Sequence, residues 1–404
     1  MADYSPKYLV FVAADANHNK FYRMTPKGDR LLVEYGRVGC ENVRTMEYDI
    51  REFDKLYRSK VKKGYQDKTN LVKDLIVEDA NDTGSLLQIA DRSVNEIVTR
   101  LQKFANKCVT ENYTISSNQV TKAMCDEAQR ILDNLVTVND VKTFNKQLEV
   151  LFTTIPRKMK NVKDHLITRC DQIAKTIDRE QSILDTMRGQ VISTVPKKTT
   201  DNKVKSDILE VLGLEIRDVT TDEQQAILDH LGATLRPKFK KAWRVVNKKT
   251  QAEYDKFLKE YNITNTKLYF HGSRNENWWS ILQNGLVLRP TNAIITGAMF
   301  GAPAIYFANR AIKSYGYTSG RGSYWASGIS TTAFMAIMDV AEGIPYDVYH
   351  HTSEYYSYNY EVFSKKHPGC HSLFAHGGID LRNDEIIVYR AEQATIHYLI
   401  ELNA

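Results

Sequence analysis

Hydrophobic and polar positions alternate in three different ways along the chain. Over residues 1–80, short apolar runs separated by polar turns predict strands at 7–13, 19–25 and 30–35. Ile50, Phe53, Leu56, Tyr57 and Val61 then recur at helical spacing, and Lys60, Lys62 and Lys63 favour a helix end near Gly64. Over 85–191, glycine nearly vanishes and the apolar positions fall on helix faces. Leu86, Ala90, Val94, Ile97, Leu101 and Ala105 form one stripe. Val120, Ala123, Met124, Ile131, Leu132 and Leu135 form a second, with Ser116-Ser117-Asn118 as its expected cap. Val141, Phe144, Leu148, Leu151 and Phe152 form a third, stopped before Pro156, and Ile167, Ile173, Ile177, Ile183 and Leu184 continue the pattern. An all-α bundle is expected, with Arg157-Lys158-Met159-Lys160 and Lys163 as a solvated basic loop.

Residues 192–206 are polar, lack periodicity and read as a linker. Beyond them a strand at 214–219, a helix begun by Thr221-Asp222-Glu223 and the basic stretch 236–244 lead into irregularly alternating strands and helices. That stretch mixes cations with Phe239 and Trp243. It suits a charged strand with a buried Trp243, and also contact with nucleic acid or a nuclear address. Since no Gly-x-Gly-x-x-Gly sits between strand and helix, a mixed sheet rather than a Rossmann fold is expected over 207–404. The whole is then a multidomain α+β chain. Its 404 residues exceed one ordinary core.

Charge changes this picture little. A net charge of +6 permits a polyanionic partner without demanding one. No apolar run approaches membrane-spanning length, so no membrane association is expected. None of the five cysteines forms a Cys-x-x-Cys pair, which points to a reducing, intracellular compartment, and without a His-Glu-x-x-His set no catalytic metal is expected.

Three stretches carry chemistry: Lys-Leu-Tyr-Phe-His-Gly-Ser-Arg at 267–274, Ile-Tyr-Phe-Ala-Asn-Arg-Ala-Ile-Lys-Ser-Tyr-Gly-Tyr at 305–317, and Asn-Asp-Glu-Ile-Ile-Val-Tyr at 383–389. Taken singly, His271, Tyr306 and Glu385 each fit a structural role. In this order and spacing they resemble the ADP-ribosyltransferase domain of the poly(ADP-ribose) polymerases, with its His-Tyr-Glu triad. The resemblance implies cleavage of the nicotinamide–ribose bond of NAD+. That reaction needs a clamp for a flat amide, a fixed ribose and one carboxylate near developing positive charge. Gly272 allows close backbone approach, Ser314 adds a hydroxyl, Tyr306 and Tyr317 make walls, and His271 reaches a ribose hydroxyl. Ser273 and Lys313 complete the expected NAD+ set. Glu385 is the expected base, and Met299 lies in the segment resembling the family's donor-side loop, on the acceptor side.

Tyr35-Gly36-Arg37-Val38-Gly39 resembles the signature of the WGR domain, with Tyr in place of Trp, and implies DNA-end binding through Tyr35 and Arg37. The helical order with Phe152-Thr153-Thr154-Ile155-Pro156 resembles the family's regulatory helical domain, which implies autoinhibition. The expected layout is a WGR-like domain at 1–80, a regulatory bundle at 85–191 and a catalytic domain at 207–404. The expected function is DNA-break-stimulated poly(ADP-ribosyl) transfer to itself and other proteins, by a monomer that is nuclear if eukaryotic and otherwise cytoplasmic. The alternatives are mono-ADP-ribosyl transfer, or DNA-end binding with weak or no transfer. Three departures bear on this: Gly301-Ala302-Pro303-Ala304 lacks the family's Lys, Val287 stands where the family often has Arg, and the expected acceptor side, 345–378, is short and rich in Tyr and His.

Overall fold

The computed structural model describes residues 4–38, 42–69, 89–113, 120–193, 208–288, 299–320 and 330–404. Leu86, Gly39, Ser116-Ser117-Asn118, Thr296-Gly297-Ala298 and all but the first two residues of the expected linker lie outside these spans. The chain forms two compact units, residues 1–84 with 106–196, and residues 85–105 with 197–404.

In the first unit, β1 (Lys7–Ala13), β2 (His18–Lys27), β3 (Arg30–Arg37), β4 (Arg44–Asp49) and β5 (Gln66–Asp67) form an antiparallel sheet in the order β4-β3-β2-β1-β5. Strand periodicity sends Leu9, Tyr22, Met24, Leu31 and Val33 to one face, where Phe53 of α1 (Phe53–Lys62) covers them. Tyr8, Val10 and Val12 point the other way. They share a core with the C-terminal part of α2 (Arg92–Asn112), with α3 (Lys122–Leu135), α4 (Val141–Thr154) and α5 (Ile173–Ser193). Because both faces of β1 are covered, it reads as the continuous apolar run Leu9-Val10-Phe11-Val12.

Two expectations are corrected here. The cap of α3 is Thr121, whose Oγ1 accepts the Met124 N–H at 3.1 Å; the helix therefore begins later than Ser116-Ser117-Asn118 suggests. The basic loop after α4 is not simply solvated. Arg157 is 3% exposed, pairs with buried Glu180 at 3.3 Å and lies over the rings of Tyr113 (5.0 Å) and Phe152 (6.0 Å). A buried guanidinium is tolerated only when so partnered.

In the second unit, Val94, Ile97, Val98, Leu101 and Ala105 of α2 pack with Trp243, Val245, Phe334 and Leu399. Arg100 on the same helix donates two hydrogen bonds to buried Glu401, at 2.9 and 2.7 Å. The boundary between the units thus falls inside α2. The unit continues with α6 (Ile208–Leu212), β6 (Leu214–Asp218), α7 (Thr221–Leu235), β7 (Phe239–Asn247), α8 (Lys248–Glu260), β8 (Thr266–Gly272), α9 (Trp278–Asn284), β9 (Ile305–Phe307) and α10 (Ala311–Tyr315). It ends with β10 (Thr332–Ala341), β11 (Pro345–Val348), α11 (Tyr360–Lys366), β12 (Ser372–Ala375), β13 (Glu385–Val388) and β14 (Ala394–Asn403).

Its strands make two sheets, β6-β7-β14-β10-β8 and β11-β12-β13-β9, mixed because β11 runs parallel to β12. The basic stretch 236–244 enters β7 with Trp243 buried, while Lys240 and Lys241 reach Glu401 and Asp218. The sheets meet where Phe270 of β8 and Ala308, just after β9, exchange two backbone hydrogen bonds at 2.8 and 3.0 Å. This architecture, a small α/β domain, helices and a mixed-sheet domain, is the multidomain α+β layout expected. No helix among the described residues is long and apolar enough to cross a membrane.

Candidate active site

The meeting of β8 with β9 brings the three chemistry-bearing stretches together. His271, at the end of β8, has Nδ1 3.1 Å from the carbonyl oxygen of Tyr306 on β9. A carbonyl only accepts, so Nδ1 donates and the contact fixes the plane of the imidazole. β9 in turn pairs with β13, in a register that places Ile387 opposite Tyr306. Glu385 is two residues before Ile387, so its side chain leaves the sheet on the Tyr306 face. Lys313 of α10 closes the arrangement with an ion pair to Oε1 of Glu385.

Glu385 is the unusual group. Its side chain is 7% exposed, and Oε2 is buried without a hydrogen-bond partner. Burial pushes its pKa up, and the Lys313 ammonium works against that shift. A half-satisfied carboxylate in a dry site costs stability, and such groups cluster where chemistry is done. The Tyr306 phenol is also held well above its ordinary pKa, by burial first and the Glu385 charge second, so it stays a neutral hydrogen-bonding wall.

Gly272 makes the closest backbone approach in the site. A Cβ there would lie 1.9 Å from the carbonyl oxygen of Ser314, so β8 and α10 can touch only through glycine. The Ser314 hydroxyl is buried and donates to the Phe270 carbonyl at 3.0 Å, and the N–H of Tyr317 turns back onto the Ser314 carbonyl at 3.1 Å. Ser273 accepts from Asn277 Nδ2 at 3.1 Å. Met299 is half-buried and packs against the cluster that contains Phe300, Tyr358 and Tyr389.

Sequence reading did not single out Tyr389, whose hydroxyl donates to the Phe300 carbonyl at 2.8 Å, nor His351, whose Nε2 lies 2.8 Å from the Met299 carbonyl. Tyr389 lies in the quoted run 383–389, and His351 lies in the Tyr- and His-rich stretch. Nothing in their spacing names a partner.

The residues expected on the DNA side lie in the other unit. Tyr35 is half-buried, with its ring 6.0 Å from that of Tyr22 and its hydroxyl donating to Met46 Sδ at 3.4 Å. The Lys60 ammonium lies 4.0 Å from the centroid of Tyr22 and 5.9 Å from that of Tyr35. The guanidinium of Arg37 donates to the carbonyls of Asn17, Met159 and Lys160 at 2.9, 3.1 and 2.9 Å. Asn19 donates to the Arg157 carbonyl at 3.0 Å, and the Val162 N–H donates to Asn17 Oδ1 at 3.0 Å. The end of β3 is thereby tied to the segment 157–162 after α4.

Comparison with known proteins agrees with this architecture. Residues 221–404 match the poly(ADP-ribose) polymerase catalytic domain, which places the second unit in the class of NAD+ ADP-ribosyltransferases. Residues 5–72 match the WGR domain. The chain belongs to the poly(ADP-ribose) polymerase family, with a WGR domain ahead of its catalytic domain. It is 31% identical over 200 residues to uncharacterized protein 101L of Invertebrate iridescent virus 6, a match covering 48% of this chain and 82% of that one. It is 28% identical over 178 residues to poly [ADP-ribose] polymerase 1 of Danio rerio, covering 41% of this chain and 17% of that protein. Over 82 residues it is 40% identical to poly [ADP-ribose] polymerase 2 of Homo sapiens, covering 20% and 13%. NAD+ is the substrate of such a domain.

Proposed function

We propose that this chain is a DNA-break-stimulated poly(ADP-ribosyl)transferase that modifies itself and other proteins and releases nicotinamide. The observation that carries the reading is the buried Glu385 carboxylate, with Oε1 on Lys313 and Oε2 unpartnered on the Tyr306 face. The nicotinamide seats against Gly272 and Ser314, between Tyr306 and Tyr317, with Ser273 and His271 on the ribose side. The bond from ribose C1′ to the ring nitrogen breaks, and its electron pair leaves with nicotinamide, which becomes neutral without taking a proton. The positive charge left on the ribose is what a fixed carboxylate stabilises. An acceptor oxygen then bonds to C1′ and its proton passes to Glu385. Such a base serves an acceptor hydroxyl of a preceding ADP-ribose unit as well, which supports polymer formation.

Incubation with labelled NAD+, with and without nicked duplex DNA, tests the reading. Products longer than one unit that increase with DNA are expected. Single units at the same rate in both arms would overturn the polymer and the DNA claims together. The short stretch 345–378 favours the mono-ADP-ribosyl reading, and product size decides between them.

Two further outcomes follow. Lys313→Met removes the charge that opposes the rise in the Glu385 pKa. The base is active when deprotonated, so the acid limb of the kcat/KM profile moves to higher pH, and activity falls more on the acid side than on the alkaline side. An unmoved limb would separate Glu385 from that ionisation. In the other unit, a phosphate that takes the Arg37 guanidinium releases the carbonyls of Met159 and Lys160. Arg37→Ala is expected to cut the stimulation by nicked DNA about tenfold, the worth of a charge-assisted hydrogen-bond set. Unchanged stimulation removes Arg37 from the DNA response.

A further inference from the structure

The backbone at residues 299–301 is held in an unusual way. Three successive carbonyls are each bound by a side chain from a different element. Met299 O faces Nε2 of His351 at 2.8 Å, Phe300 O accepts from Tyr389 at 2.8 Å, and Gly301 O accepts from Tyr306 at 2.8 Å. Tyr306 also accepts the Phe300 N–H at 3.1 Å. Gly301, at φ +90°, lies so close to Tyr358 that a Cβ would sit 2.0 Å from its carbonyl oxygen. The segment has no room to drift while these contacts hold.

Two of the clamps, Tyr306 on β9 and Tyr389 just after β13, flank Glu385; the third comes from beyond β11, at the opposite edge of the same sheet. His351 follows β11, in the stretch expected to face the acceptor. Its own N–H donates to Asp380 Oδ2 at 2.7 Å, which pins its backbone. Its ring stands edge-on to Phe300 at 5.5 Å and 81°, and to Tyr356 at 4.8 Å and 66°. A carbonyl partner requires Nε2 to carry the proton, so the imidazole donates whether neutral or charged. The ring plane, the tautomer and the backbone of His351 are thus all fixed, as a positioning group requires.

We infer that His351 is a positioning residue for ADP-ribosyl transfer: by binding the Met299 carbonyl, it holds the Met299 side of the site in register with an incoming acceptor. It touches neither NAD+ nor the breaking bond. Its contribution falls on how often the activated ribose meets an acceptor rather than water, and therefore on the ratio of transfer to hydrolysis. The inference rests on the acceptor-side reading of Met299. It does not rest on polymer formation, because a single transferred unit reports the ratio equally well.

The test uses the full chain with saturating NAD+ and measures nicotinamide release and labelled protein in the same tube. His351→Ala is expected to lower the transfer-to-hydrolysis ratio roughly fivefold to tenfold, the positional worth of one hydrogen bond, with the KM for NAD+ unchanged. His351→Gln offers an amide N–H to the same carbonyl and is expected to recover most of the ratio. An unchanged ratio in the alanine variant overturns the proposal. A parallel fall of transfer, hydrolysis and thermal stability overturns it in favour of a packing role, as does a glutamine variant no better than alanine. A wild type that adds single units only defeats the polymer reading and leaves this ratio as informative as before.

Discussion

Replacing Glu385 by Gln is expected to reduce ADP-ribosyl transfer by about 10³-fold, within the range that loss of a general base or of a fixed charge at the reacting centre produces. The substitution keeps volume and planarity, so β13 and its pairing with β9 are preserved. What changes is the charge. The carboxylate is buried on the Tyr306 face with one oxygen unpartnered, and an amide in its place cannot balance an oxocarbenium-like ribose or take a proton from an acceptor. In the proposed reading NAD+ is seated by Gly272, Ser314 and the two tyrosines rather than by Glu385, so the KM should move less than the turnover number. Product length is the sharper readout. Unchanged length with reduced rate would mean that another group deprotonates the acceptor, and the assignment of Glu385 as base would fall.

Much of the fold was legible because burial leaves a period behind. The first three strands of the first sheet and the stripes on α2 to α5 appear as short apolar runs and 3.6-fold repeats, whereas β4 and β5 went unread; the start of α7 was expected at Thr221-Asp222-Glu223, one residue past its cap, Thr220. Periodicity says that a face is covered but not by what. The α2 stripe therefore read as part of a self-contained bundle. In the structure its first half shares a core with Trp243 and Leu399, while Val109 belongs to the core under β1. Arg157 was misread for a related reason. Cations are usually exposed, and its partner Glu180 lies on α5, 23 residues away, with no pattern linking the two. The stretches around His271, Tyr306 and Glu385 stood out as local sequence. Their assembly did not, since it is made by strand pairing between distant segments. The contact of Lys313 with Glu385 follows from β9 lying beside both β8 and β13, and that of His351 with Met299 joins segments flanking β11 and β9, the two edges of one sheet.

Gly272→Ala should damage the site as severely as any single methyl group can. An ideal Cβ at this position lies 1.9 Å from the Ser314 carbonyl oxygen and 2.8 Å from its carbon. The obstacle is backbone, so no rotamer relieves it, and α10 must retreat from β8. That helix carries Ser314, on the proposed nicotinamide wall, and Lys313, paired with Glu385, so one displacement would open the clamp and loosen the charge that holds the carboxylate. Misplacement on the ångström scale is worth about 10²-fold in rate, and kcat/KM for NAD+ is expected to fall by that order, mostly through KM. Stability should fall by about 1–3 kcal/mol, the cost of overpacking. Gly369→Ala is the matched control: its φ of +87° strains any side chain, yet nothing lies within 4 Å of the new Cβ. It should lose stability and keep its KM. If the two variants lose KM and stability alike, the β8–α10 approach is not what shapes the nicotinamide cleft.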